Sequence, residues 1–218
     1  MKTQQVPLLL KEKIGYSSGD VAGSLVWQAI MIFLPVFYTD VFGLPAAAVG
    51  TLFLVVKIYD AVIDPVMGAI ADRTRTRHGK FRPYLLWFAV PFGVITWLLF
   101  TTPQFSPTGK IVYAYGIYIA MMTVYTAVMM PYNALSGVMT ASNLQRTELN
   151  AFRFIGAFTG ALLVQGLALP LVNFFGSGNE AHGYSMTMGL FGIIAVAVFW
   201  TAFATTCERV TLPAGQET

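Results

Sequence analysis

Charged residues are scarce in this sequence. Only 11% of its 218 residues are Asp, Glu, Lys or Arg, whereas an ordinary soluble domain has about 25%. The single cysteine, Cys207, excludes an internal disulfide, and the two histidines are too few for a histidine-rich metal centre. There is no nucleophile constellation and no glycine-rich phosphate loop, so the sequence argues against an enzyme. With 56% hydrophobic residues, it predicts an integral membrane protein.

Six apolar segments are long enough to cross a bilayer, which takes about 20 residues as a helix. They lie near residues 17–40, 46–71, 83–102, 111–136, 149–175 and 184–206. Glycine and proline mark the breaks between several of them. The predicted fold class is therefore an all-α membrane protein with six transmembrane helices. We expect a polar N-terminus over 1–13, a bundle over 14–207 and a loop beginning over 208–218.

The basic residues lie almost entirely on one side of these predicted helices. Only Lys110 lies on the opposite side, and Lys57 and Arg153 lie within segments. By the positive-inside rule, both termini are predicted to be cytoplasmic. The net charge of +3 thus reflects topology and does not indicate nucleic-acid binding. The ten residues on the basic side are Lys2, Lys11, Lys13, Arg73, Arg75, Arg77, Lys80, Arg82, Arg146 and Arg209.

Three charged residues, Lys57, Asp60 and Asp64, interrupt the second apolar segment. A charge at the bilayer centre costs about 2.5–3.5 kcal/mol on insertion scales. At roughly 100° per residue, the three lie within an arc of about 60°. Two carboxylates one turn apart cannot both be charged cheaply, so bound Na⁺, a proton or Lys57 must balance them. The pattern predicts a monovalent-cation site at Asp60 and Asp64. The alternative is a purely structural ion-pair cluster with Lys57.

Several motifs occur in order along the chain and, together, resemble one transporter family. They are Gly15-Tyr16-Ser17-Ser18-Gly19-Asp20, Phe37-Tyr38-Thr39-Asp40, Gly50-Thr51-Leu52-Phe53-Leu54, Asp60-x-x-x-Asp64-Pro65, Gly68-x-x-x-Asp72-Arg73, Gly79-Lys80-Phe81-Arg82-Pro83 and Pro131-Tyr132. From about residue 12 to 206 the sequence is similar to the glycoside–pentoside–hexuronide:cation symporters of the major facilitator superfamily, in the melibiose permease-like pattern. The resemblance implies sugar uptake driven by Na⁺, Li⁺ or H⁺ across a bacterial inner membrane.

The resemblance also implies roles for individual residues. Asp60, Asp64 and Thr126 match the family's cation ligands, and Lys57, the charge-balancing residue, stands where the pattern has an arginine. Arg153 matches a sugar-site arginine, whose donor fork suits hydroxyls or a carboxylate. The alternative role of Arg153 is to neutralise the acid pair. The substrate-binding residues expected are Asp20, Ser24, Tyr125, Asn133 and Arg153, and the residues of the conformational loop are Gly68, Asp72, Arg73, Arg77 and Lys80.

The predicted sugar site departs from the melibiose permease-like pattern. Ser24 and Met129 replace the two acids that hold a galactoside, and Asn133 replaces a tryptophan. An α-galactoside is therefore not expected, and the substrate is left open. The Gly19-Asp20 start is more similar to the glucuronide and pentoside branches of the family.

Complete transporters of this superfamily have two bundles, with the substrate between them at mid-membrane. The chain resembles the N-terminal six-helix half, so its expected partners are a sugar, a monovalent cation, the lipid bilayer and a second six-helix half. No resident cofactor is expected. One bundle offers one wall of a sugar site, so the chain alone is predicted not to transport. The alternatives are transport of another amphiphile, such as a lysolipid, and a non-transporting fragment or scaffold.

Overall fold

The computed structural model describes residues 7–210. The predicted polar ends at 1–6 and 211–218 lie outside this range. Within it the fold is all-α, as predicted. The helices are α1 (Leu10–Val36, continued by one π-helical stretch, Phe37–Val41), α2 (Ala46–Arg73), α3 (Arg82–Trp87), α4 (Ala89–Leu99), α5 (Pro107–Met139), α6 (Asn143–Gly176) and α7 (Glu180–Thr205).

Five helices of the described chain are long and apolar enough to cross a membrane, namely α1, α2, α5, α6 and α7. The third predicted segment is helical too, but it is divided at Phe88 into α3 and α4. Phe88 has φ −93° and ψ −7°, at the edge of helical geometry. Pro91, three residues later, lacks the N–H that would bond the Trp87 carbonyl, and this weakens a continuous helix at that turn.

The first helix begins at Leu10, earlier than the predicted start near residue 17. Glu12 explains the early start, because its carboxylate accepts a hydrogen bond of 2.8 Å from the Leu9 backbone N–H. That contact satisfies a donor at the helix start, which otherwise has no intrahelical partner. The polar beginning of the chain is thus partly helical.

Helix α1 lies at the centre, packed on α6 and α7, while α4 packs between α5 and α7 and α2 packs on α5. Glycines allow the closest of these approaches. A Cβ on Gly156 of α6 would lie 2.3 Å from the Ser17 carbonyl oxygen, and one on Gly160 would lie 2.6 Å from that of Val21. Because no side chain fits there, these glycines set the spacing of α1 and α6.

The two ends of the bundle differ in charge. At one end Arg209 pairs with Glu12 at 2.7 Å and Lys13 pairs with Glu148, which ties the start of α1 to the α6 start and to the chain after α7. At the other end Lys110 donates a 2.9 Å hydrogen bond to the Phe42 carbonyl. The basic residues that the sequence assigns to one side therefore share one end of the bundle wherever the structure describes their contacts.

Candidate functional site

An open cavity of about 160 Å³ lies between α1, α2 and α5. Its walls combine acidic, amide, hydroxyl and aromatic side chains. Asp60 also borders a neighbouring cavity of about 240 Å³, which reaches Lys57 and Tyr118. The first cavity is lined by Trp27, Asp60, Asp64, Met122, Tyr125, Thr126, Met129, Met130 and Asn133.

The three residues predicted as cation ligands meet in this cavity. Thr126 of α5 donates a hydrogen bond of 3.1 Å to Asp64 Oδ1 of α2. Asp60 lines the same cavity one turn earlier. Carboxylate and hydroxyl oxygens are the hard ligands that alkali cations prefer. The structure thus brings these residues together, and their use by a cation stays a prediction.

Pro65, directly after Asp64, lies inside α2. It has no N–H, so the Ala61 carbonyl one turn earlier lacks its usual helical donor. Ala61, whose carbonyl lacks this hydrogen bond, lies between Asp60 and Asp64 in the sequence. It leaves a further oxygen on the segment that carries them.

Lys57 contacts Asp60 and no other acid of the described chain. Its Nζ lies 3.5 Å from Asp60 Oδ2, and the Lys57 side chain is 76% exposed while that of Asp60 is 13% exposed. A contact this long between side chains of such different exposure is a weak ion pair. Lys57 lines the neighbouring cavity and not the first one, and it leaves Asp64 without a cationic partner in the described chain.

Arg153 of α6 binds Asp20 of α1 with both arms of its donor fork. The distance is 2.8 Å from Nε to Asp20 Oδ2 and 3.1 Å from Nη2 to Oδ1. Nη2 also donates to Asn133 Oδ1. The alternative that Arg153 neutralises the acid pair is therefore not what the structure shows, because the partner of Arg153 is Asp20.

Two tyrosines that sequence reasoning did not select enclose this pair. The Tyr132 hydroxyl lies 2.6 Å from Asp20 Oδ2 and 2.6 Å from the Tyr16 carbonyl oxygen. The two rings stack with centroids 4.7 Å apart, and the Arg153 guanidinium lies 5.2 Å from the Tyr132 centroid. In the sequence, the only indication that these tyrosines matter is their position in the Gly15-Tyr16 and Pro131-Tyr132 motifs.

The remaining predicted substrate residues divide between the cavity and the helix interface. Tyr125 lines the cavity beside Trp27, with ring centroids 5.3 Å apart. Asn133 lines it as well and joins it to Arg153. Ser24 does not line it, because its Cβ faces Gly160 of α6. The structure thus places Tyr125 and Asn133 on the cavity wall, connects the Asp20–Arg153 pair to it only through Asn133, and leaves Ser24 in the α1–α6 contact.

The predicted conformational loop joins α2 to α3. Lys80 pairs with Asp72 at 3.0 Å, Arg73 ends α2, and Arg77 is exposed. Gly68 faces Met130 across the α2–α5 contact, where a Cβ would lie 3.7 Å from the Met130 methyl carbon. Close packing does not require a glycine at that distance.

Glu208, which sequence reasoning missed, anchors this loop. Its carboxylate accepts backbone hydrogen bonds from Lys80 and Phe81 at 2.8 Å and from Arg82 at 3.0 Å. Three N–H donors around one carboxylate resemble an N-terminal helix cap supplied from a distant segment. The contact joins the chain after α7 to the loop before α3.

Across residues 7–210, no three His, Cys, Asp or Glu side chains come together as a metal site. The first cavity instead contains two carboxylates and a hydroxyl, those of Asp60, Asp64 and Thr126.

Comparison with known proteins places the chain among sugar transporters. The model of the MFS/sugar transport protein family matches residues 15–218. The chain is 52% identical, over 94% of its length, to an Escherichia coli K12 protein named "Putative glycoside/cation symporter YagG". It is 44% identical to inner membrane symporter YicJ of the same organism, over 94% of the chain, and 43% identical to the isoprimeverose transporter of Lactiplantibacillus pentosus, over 91%.

The chain spans less than half the length of these relatives, covering 44% of YagG, 45% of YicJ and 42% of the isoprimeverose transporter. The matches therefore concern one portion of each relative.

Proposed function

The chain belongs to the MFS/sugar transport protein family, and we propose that it forms the N-terminal six-helix portion of a cation-coupled glycoside symporter. It is a multi-pass membrane protein of a transporter family and not an enzyme. α3 and α4 together supply the third crossing. The proposed location is the bacterial inner membrane, as the name of YicJ says of that protein, with both termini cytoplasmic.

The observation that carries the proposal is the contact between Thr126 and Asp64 in a cavity that also contains Asp60. Asp64 has no cationic partner in the described chain, and two acids one turn apart repel each other in a low dielectric. A bound Na⁺, Li⁺ or proton removes that repulsion. In the Na⁺ or Li⁺ case, it also bridges carboxylates of α2 to the hydroxyl of α5.

Cation binding would hold α2 against α5. Such an added contact would matter for α2, because only 17% of its most apolar stretch is buried, against 56% of that of α1. Two hydroxyl pairs also join α2 to α5, that of Tyr59 and Thr123 at 2.7 Å and that of Thr51 and Tyr115 at 2.9 Å. An ion that fixes α2 also fixes the wall of the cavity that α2 forms. By linkage, sugar binding at that wall would strengthen ion binding equally.

The sugar would lie against Tyr125 and Asn133, beside the acid pair and within reach of Arg153. Trp27 and Tyr125 offer apolar ring faces for a sugar ring, and Asn133 offers an amide. These residues come from α1 and α5, so they form one wall.

A second bundle would supply the other wall. Lys57 lies within a spanning helix with a side chain 76% exposed. Exposure of that charge to lipid would cost about 2.5–3.5 kcal/mol. A polar surface facing this side of the bundle would avoid that cost. The proposed partner is thus a second six-helix half, with Asp72, Arg73, Arg77, Lys80 and Gly68 in the loop that would change its contacts as the halves move.

Thermal unfolding of the purified chain in detergent tests the cation site. Na⁺ and Li⁺ are titrated against K⁺ at constant ionic strength, and pH is varied in K⁺ alone. We expect saturable stabilisation by Na⁺ or Li⁺, or a proton-dependent transition, that is lost in Asp60→Asn and in Asp64→Asn. The matched control is Asp40→Asn, which removes an exposed carboxylate outside the cavity. If neither ion nor pH distinguishes the wild type from the two cavity variants, the proposed coupling site is wrong and a non-transporting scaffold is favoured.

A further inference from the structure

The loop between α2 and α3 carries three exposed arginines, Arg73, Arg75 and Arg77, which form the arginine face. The residues between them, Thr74 and Thr76, are half-buried. Thr74 has an extended backbone, with φ −70° and ψ 129°, and side chains alternate in direction along an extended chain. The three guanidinium groups therefore lie on the outside of the loop, while the threonines face the protein.

The threonines fix the backbone that carries the arginine face. The Thr74 hydroxyl donates a 2.9 Å hydrogen bond to the Ile70 carbonyl and lies 2.6 Å from the Tyr84 hydroxyl. The Thr76 hydroxyl donates to the Gly79 carbonyl at 2.8 Å, and the two residues exchange backbone hydrogen bonds of 3.1 and 3.3 Å. A ligand at the arginine face would therefore order side chains on a backbone that is already held, which lowers the entropic cost of binding.

The arginine face has no internal counter-charge in the part of the chain that the structure describes. Five basic residues and two acids meet at this loop. One acid, Asp72, pairs with Lys80 at 3.0 Å, and the other, Glu208, accepts from the backbone N–H of Arg82 at 3.0 Å. None of the ion pairs within residues 7–210 includes an arginine of the face. Three positive charges therefore remain for an anionic partner.

The outer side of α2 leads directly to the arginine face. At roughly 100° per residue, four exposed apolar side chains lie within an arc of about 120°, and Arg73 lies in the same arc at the end of the helix. The four are Ile58, Val62, Val66 and Ile70. Asp60 and Asp64 lie on the opposite side of α2. Because an exposed apolar stripe on a membrane-spanning helix suits lipid tails, the Arg73 guanidinium lies where α2 leaves the apolar layer.

The helices that follow the loop have a similar outer surface. Trp87, at the end of α3, is exposed, and Val90 and Val94 of α4 continue the exposed surface. Tryptophan is enriched at the level of the lipid headgroups. The arginine face is thus flanked on both sides by surfaces that fit lipid. Phosphate is the anion at that level, and a planar guanidinium can bind it with two donors.

We propose that the arginine face binds the phosphate groups of anionic phospholipids, such as phosphatidylglycerol, at the membrane surface. A basic residue close to the membrane surface contributes about a fivefold gain in binding to an anionic membrane. An acidic segment of a second bundle is the other candidate partner, but the apolar stripe that ends at Arg73 favours lipid. The bound lipid would hold the α2–α3 loop at the membrane surface. This role requires neither sugar nor cation binding.

The test compares anionic and zwitterionic lipid on the purified chain in mixed micelles of a neutral detergent. Dioleoylphosphatidylglycerol or dioleoylphosphatidylcholine is titrated at constant ionic strength. Thermal unfolding gives the lipid fraction needed for half-maximal stabilisation, and native mass spectrometry counts the lipid molecules that stay bound. We expect phosphatidylglycerol to stabilise the wild type at a much lower fraction than phosphatidylcholine does.

Variants of the arginine face should weaken this preference in steps. Arg75→Gln should need about fivefold more phosphatidylglycerol, and the triple variant Arg73→Gln/Arg75→Gln/Arg77→Gln should retain no more of it than of phosphatidylcholine. The matched control is Lys11→Gln, which removes one exposed charge at the same end of the bundle and should behave as the wild type does. Unfolding without added lipid verifies that each variant folds, and Arg75→Gln alone decides the comparison if the triple variant does not.

Three results would overturn the inference. Equal stabilisation of the wild type by the two lipids, or an unchanged lipid response in the arginine variants, would favour an acidic segment of a second bundle as the partner. Equal stabilisation by soluble glycerol 1-phosphate, at the same phosphate concentration, would indicate a site for free anions. The lipid response should persist in Asp60→Asn, so failure of this inference is distinct from failure of the proposed cation site.

Discussion

At the scale of single residues, the Thr126 hydroxyl is the group that would distinguish a cation site at Asp60 and Asp64 from a purely structural cluster. Thr126 is 3% exposed and donates to Asp64 Oδ1 at 3.1 Å. A buried hydroxyl that supports a carboxylate can also turn its lone pairs toward an ion, because it rotates. This dual capacity separates Thr126 from a residue that only fills space.

Thr126→Val tests that role, because valine matches the shape of threonine and lacks the hydroxyl. We expect the variant to fold, to lose about 1 kcal/mol of stability from the unsupported Asp64 carboxylate, and to need about tenfold more Na⁺ or Li⁺ for half-maximal stabilisation. Thermal unfolding in detergent measures both effects. Thr126→Ser restores the hydroxyl and should behave as the wild type does; an unchanged ion response in Thr126→Val would remove Thr126 from the site.

The sequence showed which charged residues lie within apolar segments, but it did not predict all of the contacts that they make with each other. Asp60 and Asp64 are one helical turn apart, so helix geometry alone places both on one face. Asp20 and Arg153 are separated by 133 positions, and no local pattern shows that two such residues meet. The pairing of Arg153 with Asp20 was therefore not predicted, and a role for Arg153 in sugar binding stays a prediction.

At the scale of helices and loops, hydropathy correctly predicted five of the six segments as long apolar helices of the described chain, because about 20 consecutive apolar residues are a strong signal for a membrane-spanning helix. The third segment is helical but divided. Hydropathy did not predict the division at Phe88, which depends on backbone geometry near Pro91, or the early start at Leu10, which depends on Glu12. It also did not identify Ser24 as an interface residue. Ser24 faces Gly160 because α1 and α6 lie close together at that turn, and a sequence pattern does not show this distance.

Glu208 shows how a helix end can be controlled from a distant segment. Its carboxylate accepts from the backbone N–H groups of Lys80, Phe81 and Arg82. A Cβ on Gly79 would lie 2.5 Å from that carboxylate, which explains the glycine, as does its φ of +107°. The motif Gly79-Lys80-Phe81-Arg82-Pro83 thus forms a backbone pocket for Glu208.

Removal of this carboxylate should loosen the loop between α2 and α3. For Glu208→Ala we expect a loss of about 1–2 kcal/mol, the usual cost of losing a helix cap, and faster tryptic cleavage after Arg75, Arg77 and Lys80. Cleavage of the purified chain over time is followed by mass spectrometry. Glu148→Ala provides the control, since it removes an acid from the same end of the bundle that binds a side chain, Lys13, and no backbone N–H of this loop. Equal cleavage rates in the two variants would contradict the anchoring role of Glu208.

At the scale of the whole molecule, the bundle has an apolar interior and an incompletely covered side. The most apolar stretches of α2 and α6 are 17% and 28% buried, and the cavity with its acids opens between α1, α2 and α5. Apolar exposure of this kind suits lipid, but the exposed Lys57 and Asn133 do not. A second bundle over that side would explain both, since it would cover the polar groups and leave the rest to lipid.

The orientation of this molecule can be tested with its only cysteine. Cys207 is exposed and follows α7 at the basic end, next to Glu208. The positive-inside rule places that end in the cytoplasm. A maleimide that cannot cross membranes should therefore label Cys207 in inverted vesicles and leave it unlabelled in right-side-out spheroplasts.

A second cysteine position makes the test symmetrical. Thr108, near Lys110 at the opposite end of the bundle, is exposed, and Thr108→Cys in a Cys207→Ser background should give the reverse pattern. If Cys207 were labelled in right-side-out spheroplasts, the predicted orientation would be wrong and the opposite one would hold. It would also place the basic loop after α2, with its Glu208 anchor, on the outer face. The positive-inside rule would then not explain why ten basic residues of the sequence lie on one side of the predicted helices.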